Sequence, residues 1–411
     1  MGRGDDTPAD GFEFLDVDPA GGDVDEVLAI PEPRWPRWIP ALVATGVIAA
    51  LITLVVRIDN QPSASPTRTP TAAPSSISGN GISPTSVAPV PPITVTTVDA
   101  PLLGVQAGWE LFGRGDHVVV RIQFAQGRIT RTAVPDLLSS GPVSFIVGTH
   151  QAIVRPLDVV PGYRIPDGRP ARQIDMSLSV GQTGPAFPGP DPDHVWAPPA
   201  GEGQDDIRLA GMDDPSFGPR LPVPSGVAVT DATPDGAGFL LFQGSGGVYD
   251  SRPGELRRIT TGQVLAVGPT RWLVRECGGR TGRCRTVVID QADGKRHVIA
   301  TAGPSAGYIL AGAISPDGST AALVPGTGSP QIKLMNLSTG TVRSLLVRVD
   351  ESAFDPSGVL AWSPDSRWLF ATDENSHLNA IDVRTEHVVD LTYSTGRALP
   401  PLTQIAIRAA P

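Results

Sequence analysis

Beyond its carboxylates and hydroxyls, this chain of 411 residues offers little to redox, metal or nucleophilic chemistry: two cysteines, six histidines and four tyrosines. Cys277 and Cys284 flank Gly-Gly-Arg-Thr-Gly-Arg. An apolar run stands on each side, Arg271-Trp-Leu-Val274 before and Thr286-Val-Val-Ile289 after. Two strands joined by so short a loop bring the thiols within bridging reach, and a compartment outside the membrane would oxidise them. A structural disulfide is therefore expected, on a loop that displays Arg280 and Arg283. A metal site would want four ligands, and no other Cys or His stands near in sequence.

His117, His150 and His377 each sit between apolar runs of strand length. We read all three as lying on loops between second and third strands of their units, and so on one face. Loops of neighbouring units stand too far apart to share one ion, so no metal and no cofactor is expected. Together with Asp205, Asp206, Arg280, Arg283, Asp373 and Glu374, these histidines make up the candidate ligand face. Gly303-Pro-Ser305-Ala-Gly307 matches the hydrolase nucleophile pattern, which needs a strand before it and a helix after it. Here it falls in a loop between units and reads as coincidence, so no catalytic residue is expected.

What must position these loops is a repeat. An apolar stretch runs into an acidic or amide residue, with glycine four places later in most cases, at Ile122-Gln123…Gly127, Leu157-Asp158…Gly162, Asp213-Asp214…Gly218, Tyr249-Asp250…Gly254, Ile289-Asp290…Gly294, Met335-Asn336…Gly340 and Ile381-Asp382…Glu386. Asp or Asn folds back onto its own backbone amides, glycine takes the left-handed position, and a second strand leaves. The phrases recur about every 43 residues, the period of a propeller blade. An all-β, seven-bladed β-propeller over residues 98–411 is expected.

The strand openings repeat as well. Ala313-Ile-Ser-Pro-Asp-Gly318, Ala232-Thr-Pro-Asp-Gly236 and Trp362-Ser-Pro-Asp-Ser366 each precede a second apolar run. Proline presets the turn and Asp bonds back to the backbone. Over residues 225–392 the chain resembles TolB-type and WD-type propeller repeats, whose blades carry Ser-Pro-Asp-Gly between their first two strands. The Gly-His and Trp-Asp dipeptides of true WD repeats are absent. The first unit, from Trp109 onward, has no inner strand of its own, whereas Thr403-Gln-Ile-Ala-Ile-Arg408 is a strand without a partner. Placing the second in the first closes the ring and removes two free edges.

The head is preceded by three segments of different composition. Residues 1–37 hold ten acids against three arginines, hence -7 of the formal charge of -10, and read as an acidic cytoplasmic tail. Trp38 to Val56 has no charge in nineteen residues and is closed by Arg57. At 1.5 Å per residue it spans roughly 28 Å, enough for a bilayer core. A transmembrane helix over 38–57 is expected, with Trp35 and Trp38 at the interface and the N-terminus inside. Residues 58–97 read as an extended linker, since 22 of the 37 residues 61–97 are Pro, Ser or Thr. No basic patch is visible, which argues against nucleic acid. Only Lys295 and Lys333 are lysines, and with abundant Ala, Gly, Pro and Val this resembles the composition of a GC-rich bacterium of actinobacterial type.

The function these features point to is a non-catalytic binding or scaffolding module, anchored through residues 38–57 in the lipid bilayer. Its propeller would face a protein, peptide or glycan of the cell envelope. The alternatives are an extracytoplasmic glycan lyase or hydrolase and a transmembrane sensor. The lyase or hydrolase would need carboxylates or His–Tyr groups converging at the channel mouth.

Overall fold

The computed structural model describes residues 92–135, 137, 143–156, 162–174, 185–198, 207–213, 216–278, 283–300, 309–326, 330–349 and 358–409. The acidic tail, the span expected over 38–57 and most of the linker lie outside them. Among the described residues no helix is long and apolar enough to cross a membrane.

Antiparallel strand meanders succeed one another along the chain. The first comprises β1 (Ile93–Thr97), β2 (Glu110–Gly115), β3 (Val118–Gln123) and β4 (Arg128–Ala133). The second comprises β5 (Val143–Val147), β6 (Gln151–Pro156), β7 (Tyr163–Pro166) and β8 (Arg172–Gln173). The third comprises β9 (Phe187–Pro188), β10 (His194–Ala197), β11 (Ile207–Gly211) and β12 (Phe217–Leu221). The fourth comprises β13 (Ala232–Pro234), β14 (Leu240–Gly244), β15 (Gly247–Arg252) and β16 (Glu255–Thr260). Then come β17 (Gln263–Val267), β18 (Arg271–Cys277), β19 (Cys284–Asp290) and β20 (Arg296–Ala300), followed by β21 (Ile309–Ile314), β22 (Thr320–Pro325), β23 (Gln331–Asn336) and β24 (Val342–Arg348). The last meander, β25 (Leu360–Trp362), β26 (Trp368–Thr372), β27 (Leu378–Asp382) and β28 (His387–Asp390), leads through one α-helical turn, Leu391–Ser394, to β29 (Gln404–Arg408).

The C-terminal strand returns to the first sheet, where Glu110–Arg114 pairs antiparallel with Arg408–Gln404. The first strands follow one another in a closed series: β29 lies against β25 and β5, β5 against β9, β9 against β13, and β21 against β25. The remaining joint runs through Trp272, whose indole Nε1 donates to the Asp235 carbonyl at 3.1 Å. The fold is an all-β propeller.

Seven separate blades are expected from the spacing, and the hydrogen bonding corrects this. Five sheets stand alone as blades, four of four strands and one of five, while β17 to β24 form a single eight-stranded sheet. Its two meanders are fused through a parallel bridge, Val267 to Ala313, between their first strands. A second correction concerns the linker. The fifth strand of the first sheet is β1, paired outside β4, so the linker expected to run to residue 97 gives way to strand at Ile93.

The core lies between sheets. Trp109 and Phe124 of the first sheet pack at a centroid distance of 4.7 Å, and Phe124 reaches Phe370 of the last sheet at 5.4 Å. All three rings are buried. Burying a large apolar side chain contributes roughly 1.5–3 kcal/mol. Such clusters recur between neighbours, as where Phe187 and Trp196 meet Leu240 and Phe242.

The recurring turn phrases are the joints between third and fourth strands. Gly127, Gly254, Gly294, Gly340 and Glu386 are all left-handed, with φ between 58° and 77°. Asn336 Oδ1 accepts from the amides of Ser338 and Thr339 at 3.0 and 2.9 Å, the fold-back that the residue types predict. In the second sheet the phrase is out of phase. Gly162 precedes β7, and the turn that matches the others is Pro166-Asp167-Gly168, with Gly168 at φ 65°. In the third sheet Gly218 lies inside β12.

Candidate functional site

Antiparallel meanders with parallel first strands put second-to-third loops at one end, here the upper end, and first-to-second and third-to-fourth turns at the lower end. The sheet-closing strand fits this sense: Leu402, just before β29, donates from its amide to Ser376 in the β26–β27 loop. Arg408, at the other end of β29, donates to the Gly148 carbonyl in the β5–β6 turn.

His117 therefore lies at the upper end, in the β2–β3 bend. It is exposed at φ 54°, its amide donating to Leu137 O at 2.7 Å. His377 shares that end, between β26 and β27. His150 does not, which corrects the expectation of one face for all three. Its loop joins β5 to β6, the first and second strands of the second sheet, and neighbouring Thr149 bonds to Asp193. The cause is ring closure. In the first sheet β29 supplies the first strand and shifts every later strand by one, whereas β5 is itself a first strand.

Cys277 and Cys284 are disulfide-bonded and stand directly opposite one another at the ends of β18 and β19. Arg283 beside them is exposed. Asp205, Asp206, Arg280 and Ser305 lie outside the described residues. Among the described residues no three His, Cys, Asp or Glu side chains are grouped so as to hold a metal ion.

The upper end of the last sheet carries a compact polar and aromatic group. Asp373 nucleates the β26–β27 loop, its Oδ1 accepting from the amides of Asn375 and His377 at 2.8 and 2.9 Å. Exposed Glu374 donates from its amide to Arg348 O at 3.1 Å. His377 Nδ1 lies 3.6 Å from Asp390 Oδ2 and 3.9 Å from Asp373 Oδ2, beyond ordinary hydrogen-bond length. Asp390 caps the single helical turn, its Oδ1 accepting from the Tyr393 amide at 3.1 Å. The Tyr393 ring lies edge-on to His377 at 5.1 Å, with the Arg397 guanidinium 5.7 Å from the ring centroid. The tyrosine is 56% exposed. An aromatic face, an imidazole, carboxylates and a guanidinium thus share one small surface, a set suited to holding a partner of mixed polar and apolar character.

Tyr393, Asp390 and Arg397 are not among the residues singled out from sequence. The signal was Asp390-Leu-Thr-Tyr393, an N-cap Asp ahead of a short turn, which brings a strand end back beside a loop.

The lower end of the closing joint is ionic. Glu110, buried, accepts from Arg121 Nε at 2.8 Å, Gln123 Nε2 at 2.9 Å and Arg408 Nε at 3.0 Å. Arg408 also reaches Asp167 Oδ2 at 2.7 Å, so β29 is held to the first and second sheets together. Burial by itself would raise the Glu110 carboxyl, but the Arg121 hydrogen bond and the Arg408 and Arg121 charges outweigh it and hold it below its usual range.

No family model matches the chain, and no curated protein does. Among solved structures, a functionally unknown protein from Desulfotomaculum acetoxidans is similar at 12% identity, with TM-score 0.47, covering 74% of this chain and 100% of that one. Apo AztD from Citrobacter koseri is similar at 12% identity, with TM-score 0.44, covering 73% and 98%. A chain of a nidogen/laminin complex is similar at 11% identity, with TM-score 0.38, covering 73% and 98%. With each of these scores below 0.5, the propeller reading stands on the strand order itself.

Proposed function

We propose that the chain is a single-pass membrane protein whose extracytoplasmic propeller is a non-catalytic binding module for an envelope protein, peptide or glycan, and that the upper end is its partner face. The observation that carries this reading is the exposed Tyr393 ring, on a turn whose backbone Asp390 caps, lying edge-on to His377 and near Arg397. Rigid aromatic anchors ringed by polar groups are the usual centres of binding surfaces. The uncharged stretch 38–56, the Pro/Ser/Thr-rich linker after it and the disulfide support the anchored, extracytoplasmic placement. The Ser-Pro-Asp-Gly turn of the eight-stranded sheet supports a TolB-like relationship, and the composition supports an actinobacterial source.

The test is site-specific photo-crosslinking in native membranes, with the probe at Tyr393 in one preparation and at His150, on the opposite end, in another. A partner captured from position 393 and not from 150 is expected. Equal capture from both, or none from 393, overturns the choice of face. Protease added to intact wall-free cells is expected to release the head, and a head protected until lysis reverses the orientation.

A further inference from the structure

The joint between the fourth sheet and the eight-stranded sheet encloses three oxygen acceptors that have no hydrogen-bond partner among the described residues: Asp235 Oδ2, Asp250 Oδ1 and Gln291 Oε1. Their residues are 0%, 1% and 5% exposed, so solvent at the surface does not serve them. They belong to one group. Gln291 Nε2 donates to the carbonyls of Asp235 at 3.0 Å and Gly268 at 2.7 Å, which leaves its Oε1 as the free end of the amide. Arg257 Nη2 donates both to Gln291 O and to Asp250 Oδ2, each at 3.2 Å. Arg252 Nε donates to Asp250 Oδ2 at 2.9 Å, and its Nη2 stands 3.9 Å from Asp235 Oδ2, too far to bond it. The other oxygen of Asp235 is occupied by the amides of Ala237 and Phe239. Each member thus has one satisfied side and one idle acceptor, and what the group lacks is a donor.

We propose that this joint is a binding site for one internal water molecule, which donates to Asp235 Oδ2 and to a second of the three oxygens and accepts from Arg252. A gap of 3.9 Å between a guanidinium and a carboxylate is the separation that a bridging water spans, and buried waters take two to four such contacts. Charge selects water over a cation. Arg252 and Arg257 already place two positive charges beside the two carboxylates, both bonding Asp250, so a metal ion would add a further charge beside a guanidinium. The water would knit the β13–β14 turn to the β19–β20 connection.

A crystal structure of the chain at a resolution that reveals ordered water tests this, with crystals grown in parallel from rubidium chloride. One density peak is expected within hydrogen-bond distance of Asp235 Oδ2 and at least one of the other two oxygens, without anomalous rubidium signal. An anomalous peak there makes it a cation site and overturns the proposal, as does collapse of the three oxygens around an empty joint. Carbon-13 spectra of labelled aspartate supply a second reading. A single buried carboxyl still protonated at neutral pH would mean that Asp235 carries its own donor, and the proposal falls. Its ionised signal, moving only as the pH is lowered, supports it.

Discussion

Two turns with nearly the same sequence fold differently in this molecule. In the eight-stranded sheet, Ser315-Pro-Asp-Gly318 closes a loop in which Ser315 N donates to Thr320 O at 2.8 Å and Ser315 Oγ accepts from Thr320 N at 3.0 Å. Asp317 is exposed and takes the Ser315 hydroxyl and the Ser319 amide. Ser363-Pro-Asp-Ser366 repeats the pattern, with Ser363 Oγ accepting from Trp368 N at 2.8 Å. In the fourth sheet, Thr233-Pro-Asp-Gly236 does not. Thr233 and Pro234 stay in the strand ladder opposite Leu241 and Leu240. Asp235 takes over the closing role, donating from its amide to Phe239 O at 2.9 Å and accepting from Phe239 N at 2.8 Å. The strand end has moved on by two residues. An Asp that is exposed in one turn is wholly buried in the other.

The glycines explain the shift. Gly236 and Gly238 both have positive φ, 90° and 92°, and allow a loop one residue shorter than the Ser-Pro-Asp turns. The largest expected effect of any substitution tested on this contrast is therefore at Gly238. A Cβ there would lie 2.4 Å from Pro190 Cα and 2.6 Å from Gly189 O, backbone of the neighbouring sheet that cannot step aside. Gly238→Ala is expected to cost about 3–5 kcal/mol, the sum of a left-handed penalty and overpacking. At Gly318 the nearest atom is a side-chain oxygen at 3.3 Å, and Gly318→Ala should cost only about 1–2 kcal/mol. Urea melts of both variants measure the difference, and equal costs would sink this account of the shorter loop.

The contrast also marks how far the sequence could be read. The left-handed turns at Gly127, Gly254, Gly294, Gly340 and Glu386 were legible because Asp, Asn or Gln and glycine at fixed offsets act locally. The return of β29 was legible because an alternating apolar strand without a partner must pair somewhere. The fusion of β17 to β21 was not, since a single parallel bridge between neighbours leaves no local pattern. The burial of Asp235 was hidden because Thr-Pro-Asp-Gly matches Ser-Pro-Asp-Gly letter for letter in its turn residues, and the deciding residue, Gly238, lies beyond the motif. The grouping of His377 with Tyr393 was hidden too, since it depends on where the chain turns back after β28.

A smaller effect separates the hydroxyls that begin the two motifs. Ser315 is buried, and its Oγ both accepts from Thr320 N and donates to Asp317 at 2.6 Å. Ser315→Ala should cost about 1–2 kcal/mol, as the loss of a capping hydroxyl does. Thr233 is exposed in the ladder, and Thr233→Ala should stay within about 0.5 kcal/mol. Thermal melts of the pair check this, and a Thr233 variant as damaged as the Ser315 variant would show that the two turns share a register after all.

The smallest effect, and the sharpest in sign, is the response of the two aspartates to pH. Burial raises the Asp235 carboxyl more than the Phe239 and Ala237 amides lower it, and Asp250 adds to the rise. For Asp317, burial pushes upward but the Ser315 hydroxyl and the Ser319 groups outweigh it, and the carboxyl lies below its usual range. A carboxyl raised by folding ionises more readily in the unfolded chain. Its contribution to stability therefore falls as pH climbs from the unfolded value to the folded one. A carboxyl lowered by folding does the reverse: its contribution is present above the unfolded value and is lost as pH drops through the folded one. Asn keeps the acceptor that Asp235 offers to Ala237 and Phe239 and removes the titrating group. Relative to the parent, the melting temperature of Asp235→Asn should therefore rise between acid and neutral pH, while that of Asp317→Asn should fall. Melts at both ends of that range decide it. Movement in the same direction would mean that Asp235 is ionised at no cost, its burial offset by the neighbouring arginines, and the two turns would then differ in shape without differing in their electrostatics.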